Sequence, residues 1–366
     1  MAKVAIVGAG RVGTAAAKIL LTVTDHEVVL IDSSEDALAA AFEACAELER
    51  PQYLAALTPT MPLETFVAYG KDQLEATLRA TAPALVICST PFSVNIMVAE
   101  IANRVGCHYI DFTEDNSVTA AINELSVSRL TFVPQTGLAP GLVNYLGLSL
   151  FEELGEPLRL DLRVGALPQV SFGPAHYAVT WSVEGLVNEY LKPTFVKNQG
   201  AVEETPPLDE HEMLVVNGVS YEGFTTSGGV GMLTAYDHVP SVQYKTLRFP
   251  GHLDFLQKIL SKVNFVFEDA VDLFKQTFVT TRDDVVVLVA HAVDTEGKSA
   301  SAGLHFYPAE ELGLTALELT TAGVGIGVAE LILSGQLDAG VLNASQIPFE
   351  KLMATSALRL VFDHLN

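Results

Sequence analysis

The sequence predicts an α/β fold: a doubly wound parallel sheet, joined to an inserted α+β domain with a mixed or antiparallel sheet. Three observations predict it. Short apolar strands alternate with helical segments from Val4 to Pro134, the pitch of βαβ units and hence of a parallel sheet. Between Leu158 and Tyr307 the chain turns strand-rich. Helical spacing returns at Ala316. The boundaries implied are 1–140, 141–314 and 315–366, the last segment a set of C-terminal helices returning to the first domain.

The first element is V-A-I-V, Val4 to Val7, a short buried strand that runs into G-x-G-x-x-G at Gly8, Gly10 and Gly13. An alanine-rich helix, Thr14 to Leu21, follows at once. Gly8 permits the tight turn, Gly10 lets a pyrophosphate approach the backbone, and Gly13 lets helix and strand pack closely. The helix N-terminus offers free N–H groups and a partial positive charge. A second strand, Glu27 to Ile31, ends in Asp32. A carboxylate there accepts the ribose hydroxyls of NAD and repels the 2′-phosphate of NADP. This is the Rossmann arrangement, and NAD is the expected cofactor. Arg11, inside the turn, offers a phosphate contact that weighs the other way.

Ser34 to Glu49 reads as a helix capped by Ser34 and stopped by Pro51. A strand near Thr65 to Ala68 and a helix from Asp72 to Ala80 come next. Ala84 to Cys88 is a continuous apolar run, as in a strand covered on both faces. The turn Ser89-Thr90-Pro91 opens a helix to Val105, and strands follow at His108 to Asp111 and Thr131 to Pro134. Ligands on such sheets lie beyond the strand C-termini. The cofactor-binding set is therefore Gly8, Gly10, Arg11, Val12, Gly13 and Asp32, with Ser89, Thr90 and Pro91, and also Asp111, on the same rim.

Gly137 and Pro140-Gly141 form a turn before a helix from Leu142 to Leu154. Strands are expected at Leu158 to Ala166, Thr194 to Lys197, Met213 to Val216 and Thr246 to Phe249. A long antiparallel hairpin joins Asp284 to Asp294 with Ser299 to Tyr307. A helix from Ala316 to Leu333 contains Gly323, Gly325 and Gly327; with no strand before them, these glycines read as helix packing and not a second nucleotide site. One short helix follows Pro348.

Composition narrows the function classes. With 366 residues, 49% hydrophobic and 18% charged, the chain is globular and long enough for two cores. A net charge of −23 argues against a phosphate-neutralising surface, so no nucleic-acid partner is expected. Cys45, Cys88 and Cys107 lie far apart without metal-ligand spacing and read as buried thiols. The N-terminal apolar run stops at the glycine turn, and no uninterrupted run reaches membrane-spanning length, so a cytoplasmic protein with no membrane partner is expected.

Four polar stretches stand out as candidates for chemistry: Tyr109 to Asn116, Thr180 to Tyr190, Phe224 to Gly229 and Tyr244 to His252. Glu184 and Asn188 share a helix face at i, i+4. The turn T-T-S-G-G, with Ser227, has N–H groups suited to an anion. Lys245, Arg248 and His252 concentrate positive charge in an acidic chain. Each has a plainer counterpart. Asp111 can cap the next helix, Lys245 and Arg248 can pair surface carboxylates, and His252 can be a satisfied polar group. His176, in a loop after Pro174, is a weaker candidate.

Together V-A-I-V-G-A-G-R-V-G, G-L-A-P-G-L-V-N, R-V-G-A-L-P, E-G-L-V-N-E-Y-L-K-P, T-T-S-G-G and Y-K-T-L-R-F-P-G-H resemble the saccharopine dehydrogenase family, and within it the lysine 6-dehydrogenase type. The resemblance implies a Rossmann domain completed by C-terminal helices, and an inserted domain with a mixed sheet. It implies hydride transfer between NAD and a carbon bearing nitrogen: oxidative deamination of the ε-amine of L-lysine to 1-piperideine-6-carboxylate. The sister activities, those of saccharopine reductases and carboxynorspermidine dehydrogenases, join an amine to an aldehyde, commonly with NADPH. For an amino-acid substrate, Arg248 suits a carboxylate, Asp111 and Glu184 suit ammonium groups, and Lys245, His252 or a carboxylate is the base that amine oxidation needs. A homo-oligomer, dimer or larger, is expected through an exposed sheet edge of the second domain.

Overall fold

The computed structural model describes residues 1–48, 62–235, 237–260 and 267–365. They form two compact units, 1–142 with 318–363 and 143–317 with 364–366.

The first unit opens with β1 (Lys3–Val7), α1 (Arg11–Val23), β2 (Glu27–Asp32) and α2 (Glu35–Ala46). Val4, Ala5 and Ile6 are fully buried; an aliphatic side chain such as Val4 contributes about 1.5–3 kcal/mol by leaving water. Ser34 caps α2 by accepting the Ala37 N–H at 3.1 Å, and Glu35 and Asp36 favour the positive end of that helix. The stop expected at Pro51 lies outside the described residues. Then come β3 (Leu63–Val67), α3 (Gly70–Thr81), β4 (Leu85–Cys88), α4 (Phe92–Val105), β5 (His108–Asp111), α5 (Asn116–Asn123) and β6 (Thr131–Val133). Asp115 caps α5 through the Ser117 and Val118 N–H groups.

The second unit carries α6 (Leu142–Glu152), β7 (Pro157–Pro168), α7 (Val183–Leu191), β8 (Thr194–Asn198), β9 (Ala201–Thr205), β10 (Glu212–Val216), β11 (Val219–Phe224) and β12 (Ser241–Arg248). After them run α8 (His252–Leu260), α9 (Phe267–Thr277), β13 (Asp284–Asp294) and β14 (Ser299–Phe306). Its sheet has the order β10-β11-β12-β7-β13-β14, with β8 attached to β12 and β9 to β8. It is mixed: β12 runs parallel to β7, while β7–β13, β13–β14, β11–β12 and β10–β11 are antiparallel. The long hairpin forms as its sequence indicates, with Asp294 holding its turn through the Glu296 and Lys298 N–H groups. Strands β9 and β11 and helices α8 and α9 are additions to the elements expected. Tyr177, Tyr190, Phe224, Leu247, Phe274 and Val287 belong to the core of this unit.

The chain then returns through α10 (Ala316–Leu333), β15 (Gly340–Val341), α11 (Phe349–Met353) and α12 (Ser356–Asp363). Strand β15 completes a parallel seven-stranded sheet of order β15-β6-β5-β4-β1-β2-β3. The glycines of α10 are packing sites: a Cβ would lie 2.3 Å from Val361 at Gly323, 2.5 Å from Phe112 at Gly325 and 2.3 Å from Leu358 at Gly327. Among the described residues α10 is the one helix long and apolar enough to cross a membrane, and 78% of it is buried inside the protein.

Candidate active site

The first unit places a bare stretch of backbone where β1 meets α1. Gly8 has φ +103°, and a Cβ there would lie 2.7 Å from the Ser89 carbonyl oxygen. At Gly13 a Cβ would fall 1.8 Å from the Gly8 carbonyl oxygen. At Gly10 it would meet nothing within 4 Å. Gly8 and Gly13 are thus demanded by the protein's own packing, whereas Gly10 leaves open the side from which a ligand approaches. Ser89 fixes the turn: its N–H donates to Val7 O and its hydroxyl to Gly8 O, both at 2.8 Å. Gly10 stands at the N-cap of α1 without a side-chain cap, and Val12 lies in the first turn. Its leading N–H groups suit an anion. Thr90 sits 3.2 Å from the Cys88 sulfur, and Pro91 precedes α4. Burial pushes the Cys88 thiol up to about 11, so it stays protonated.

Asp32 closes the turn from the end of β2. One oxygen accepts the Ala9 N–H at 2.7 Å, the other the Ser34 N–H at 2.9 Å. An ionised carboxylate offers about four acceptor positions, so capacity for ribose hydroxyls is left. Arg11 is held by Glu318, its Nε donating to Oε1 at 2.7 Å.

Asp111 also belongs to the first unit and is fully buried. It accepts the Tyr109 hydroxyl at 2.9 Å and the Thr113 and Gln135 N–H groups at 3.0 Å. Its backbone carbonyl accepts from Thr136 N–H and hydroxyl. The carboxylate therefore pins the segments leaving β5 and β6. Burial raises it to about 6 despite these bonds.

The second unit brings three of the polar stretches onto one buried ion pair. Arg248, at the end of β12, is 1% exposed. Nη2 donates to Glu189 Oε2 at 2.9 Å, Nε to the Tyr190 hydroxyl at 2.6 Å, and Nη1 to Thr246 Oγ1 at 2.7 Å and Leu247 O at 2.9 Å. One N–H of Nη2 is left beyond these four bonds, so a two-point clamp on an outside carboxylate would first displace Glu189. The Tyr177 and Tyr190 rings lie 4.8 and 5.4 Å from the guanidinium carbon. Burial opposes the charge, but Glu189 and the two tyrosines raise the arginine above its ordinary value. Ser227 ties T-T-S-G-G to α7: its N–H donates to Glu189 O and its hydroxyl to Asn188 O, each at 3.1 Å.

His252 completes the cluster. Its Nδ1 lies 2.7 Å from Ala175 O, which can only accept, so Nδ1 carries the proton. Nε2 then accepts from the Tyr190 hydroxyl at 3.0 Å. Burial and then the Arg248 charge push the imidazole down to about 3. The polarity of the chain is fixed throughout, from Arg248 Nε–H through Tyr190 O–H to neutral His252. Glu222 sets the position of this histidine by accepting the Gly251 and Leu253 N–H groups at 3.1 and 2.6 Å.

Glu184 and Lys245 are placed elsewhere in the unit. Glu184 lies on the outer side of α7, paired with Lys275 at 2.7 Å with both side chains 51% exposed; that hydrogen bond holds its carboxyl below the usual range. Lys245 is three residues from Arg248 on β12, hence on the other face, where Nζ donates to Glu210 O at 2.7 Å and lies 3.6 Å from Glu212. His176 sits beside the cluster, its Nδ1 3.0 Å from Ser171 Oγ and its ring 3.0 Å from where a Gly251 Cβ would stand. Glu189 and Tyr190 lie within the candidate stretch Thr180 to Tyr190 and Tyr177 beside His176, but the sequence assigns none of them a role, and Glu222 falls outside every candidate stretch. A helix turns by about 100° per residue, which separates Glu189 from Glu184 and sends it to the buried side.

Comparison with known proteins agrees with this layout. Residues 4–131 match the saccharopine dehydrogenase NADP binding domain, and residues 137–359 the saccharopine dehydrogenase C-terminal domain. Among solved structures the chain is similar to the apo saccharopine dehydrogenase (L-Glu forming) of Saccharomyces cerevisiae, with TM-score 0.72 and 13% identity over 100% of this chain and 99% of that one. At that identity the likeness is one of fold. A probable dehydrogenase of Thermotoga maritima matches at TM-score 0.45 and 8% identity over 97% of this chain and 94% of its own. The parallel sheet, the glycine turn and the two family-domain matches define a dehydrogenase that binds a nicotinamide dinucleotide. The chain belongs to the saccharopine dehydrogenase family.

Proposed function

We propose that the chain is an NAD-dependent amino-acid dehydrogenase that removes the ε-amine of L-lysine. The observation that carries the reading is the convergence of E-G-L-V-N-E-Y, T-T-S-G-G and Y-K-T-L-R-F-P-G-H on the buried Arg248–Glu189 pair. A zwitterionic substrate presents the same two charges, carboxylate for the arginine and ammonium for the glutamate. The choice of NAD rests on Asp32, whose carboxylate the glycine turn holds at the end of β2.

Bound NAD supplies the hydride acceptor, and the protein supplies orientation and electrostatics. In the net reaction, lysine (as its monocation) and NAD⁺ give the 1-piperideine-6-carboxylate anion, ammonium, NADH and two protons. The water that hydrolyses the imine is returned when the aldehyde closes onto the α-amine. Gly10 and the first turn of α1 would hold the pyrophosphate, Asp32 the adenosine ribose. Tyr190 and neutral His252 would keep the guanidinium of Arg248 oriented.

The test is NADH formation at 340 nm across free amino acids, run with NAD and NADP. Turnover of lysine with NAD is the expected result. Consumption of NADPH only when an amine and an aldehyde are supplied together would replace this reading with reductive condensation.

A further inference from the structure

The first turn of α10 reaches back to the glycine turn. Glu318, 5% exposed, accepts Arg11 Nε at 2.7 Å. Arg11 is the first residue of α1, next to the open face of Gly10, and its side chain is 43% exposed. The direction of the contact matters. Strand β1 has β2 on one flank and β4, β5 and β6 on the other. Helix α10 packs on the second flank, where a Cβ at Gly325 would meet Phe112, just past β5, and one at Gly137 would meet Thr321. Asp32 stands on the first flank, at the end of β2. Glu318 therefore draws the guanidinium away from the carboxylate assigned to the ribose.

We infer that Glu318 determines cofactor specificity by holding Arg11 on the β5–β6 flank, away from a 2′-phosphate at Asp32. The inference rests on the reading of Asp32 as the ribose carboxylate. A 2′-phosphate set beside Asp32 meets like charge and needs a cation to be tolerated, and arginine is the side chain best shaped for it. Arg11 adjoins the site but is already paired with a nearly buried carboxylate. Asp32 opposes the phosphate directly, and Glu318 withholds the group that would compensate.

The test measures dissociation constants of NAD and NADP, by calorimetry, for the wild-type chain, Glu318→Gln, Arg11→Ala and the double variant. Glu318→Gln keeps the side chain's shape while removing its charge. It is expected to improve the NADP constant about tenfold or more relative to that for NAD, the gain a charge-assisted arginine–phosphate contact supplies. The double variant is expected to lose that gain. An unchanged NADP-to-NAD ratio in Glu318→Gln overturns the inference, as does a gain that survives in the double variant, since Glu318 would then act by its own charge. If Glu318→Gln does not fold, Glu318→Asp, which draws the carboxylate back from Arg11 Nε by one methylene, must shift the ratio in the same direction; no shift overturns the inference. Asp32→Ala separates the two levels: an unchanged cofactor preference there removes the ribose reading and this inference with it. A changed preference there, with Glu318→Gln inert, removes this inference alone.

Discussion

Arg248 donates from Nε to the hydroxyl of Tyr190 across 2.6 Å, and both side chains are almost wholly buried. The same hydroxyl donates to His252, so a single oxygen serves two buried groups that have few alternatives. Tyr190→Phe removes that oxygen and keeps the ring. It leaves an arginine N–H and an imidazole nitrogen unsatisfied away from water. The expected loss is about 2–4 kcal/mol of folding stability, read from urea unfolding midpoints. A change below about 1 kcal/mol would count against the hydroxyl as the joint of this cluster.

The glycine turn separates packing from binding. At Gly10 the backbone has φ −73° and ψ −168°, which alanine adopts without strain, and a Cβ meets no atom. Gly10→Ala is expected to keep stability within about 1 kcal/mol while weakening dinucleotide binding by roughly tenfold or more, because the methyl stands where the pyrophosphate approaches. At Gly13 a Cβ collides with Gly8 and Ser89. Gly13→Ala is expected to cost about 1–3 kcal/mol or more by overpacking. Thermal unfolding with and without NAD separates the two. Equal stability losses at both positions would show that Gly10 is also a packing residue.

What was legible in the sequence follows from which periodicities were decisive. Strands β1 and β4 of the parallel sheet read directly because they are continuous apolar runs, closed by Gly8 and by Ser89-Thr90-Pro91. Strand β11 was missed although its signal is present. V-N-G-V places Asn217 and Gly218, at φ +48° and +82°, between β10 and β11, and Asn-Gly is the preferred two-residue hairpin turn. Within the site, Lys245 and Arg248 look like one basic cluster in one dimension. An odd separation on a strand sends them to opposite faces. Tyr190 and Glu189 were less legible because nothing in E-G-L-V-N-E-Y tells which polar residue turns inward until the helix meets β12.

Asp111 predicts a pH dependence. Burial raises its pKa from 3.8 in the reference state to about 6 in the folded protein. Between these values the folded state binds the proton more tightly than the unfolded chain does. Its contribution to stability is thus complete below about 3.8 and is lost as pH rises through 6. A shift of this size corresponds to about 3 kcal/mol. Asp111→Asn cannot titrate, so the stability of wild type minus variant should fall by about that amount between pH 4 and pH 7. Denaturation curves at several pH values measure it. A difference that stays constant across the range would sink the assignment.

Two glutamates on α7 make opposite predictions. Glu184 pairs with Lys275 at the surface, and exposed pairs of this kind are worth about 0–1 kcal/mol. Glu184→Gln should therefore leave stability nearly unchanged and, under the proposed function, leave kcat/KM for the amine unchanged too. Glu189 is the carboxylate partner of a guanidinium that is 1% exposed. Removing one member of a buried pair strands the other, at about 3–5 kcal/mol. Glu189→Gln keeps the shape and one acceptor oxygen, so its cost should fall toward the lower end. It should also raise KM for a substrate bearing an ammonium group, and high salt should not mimic that effect, because a buried charge is poorly screened. Side-by-side unfolding curves and steady-state kinetics of the two variants decide the matter. A large effect at Glu184 with none at Glu189 would place the amine-binding carboxylate on the outer face of the helix and refute the role given to the buried pair.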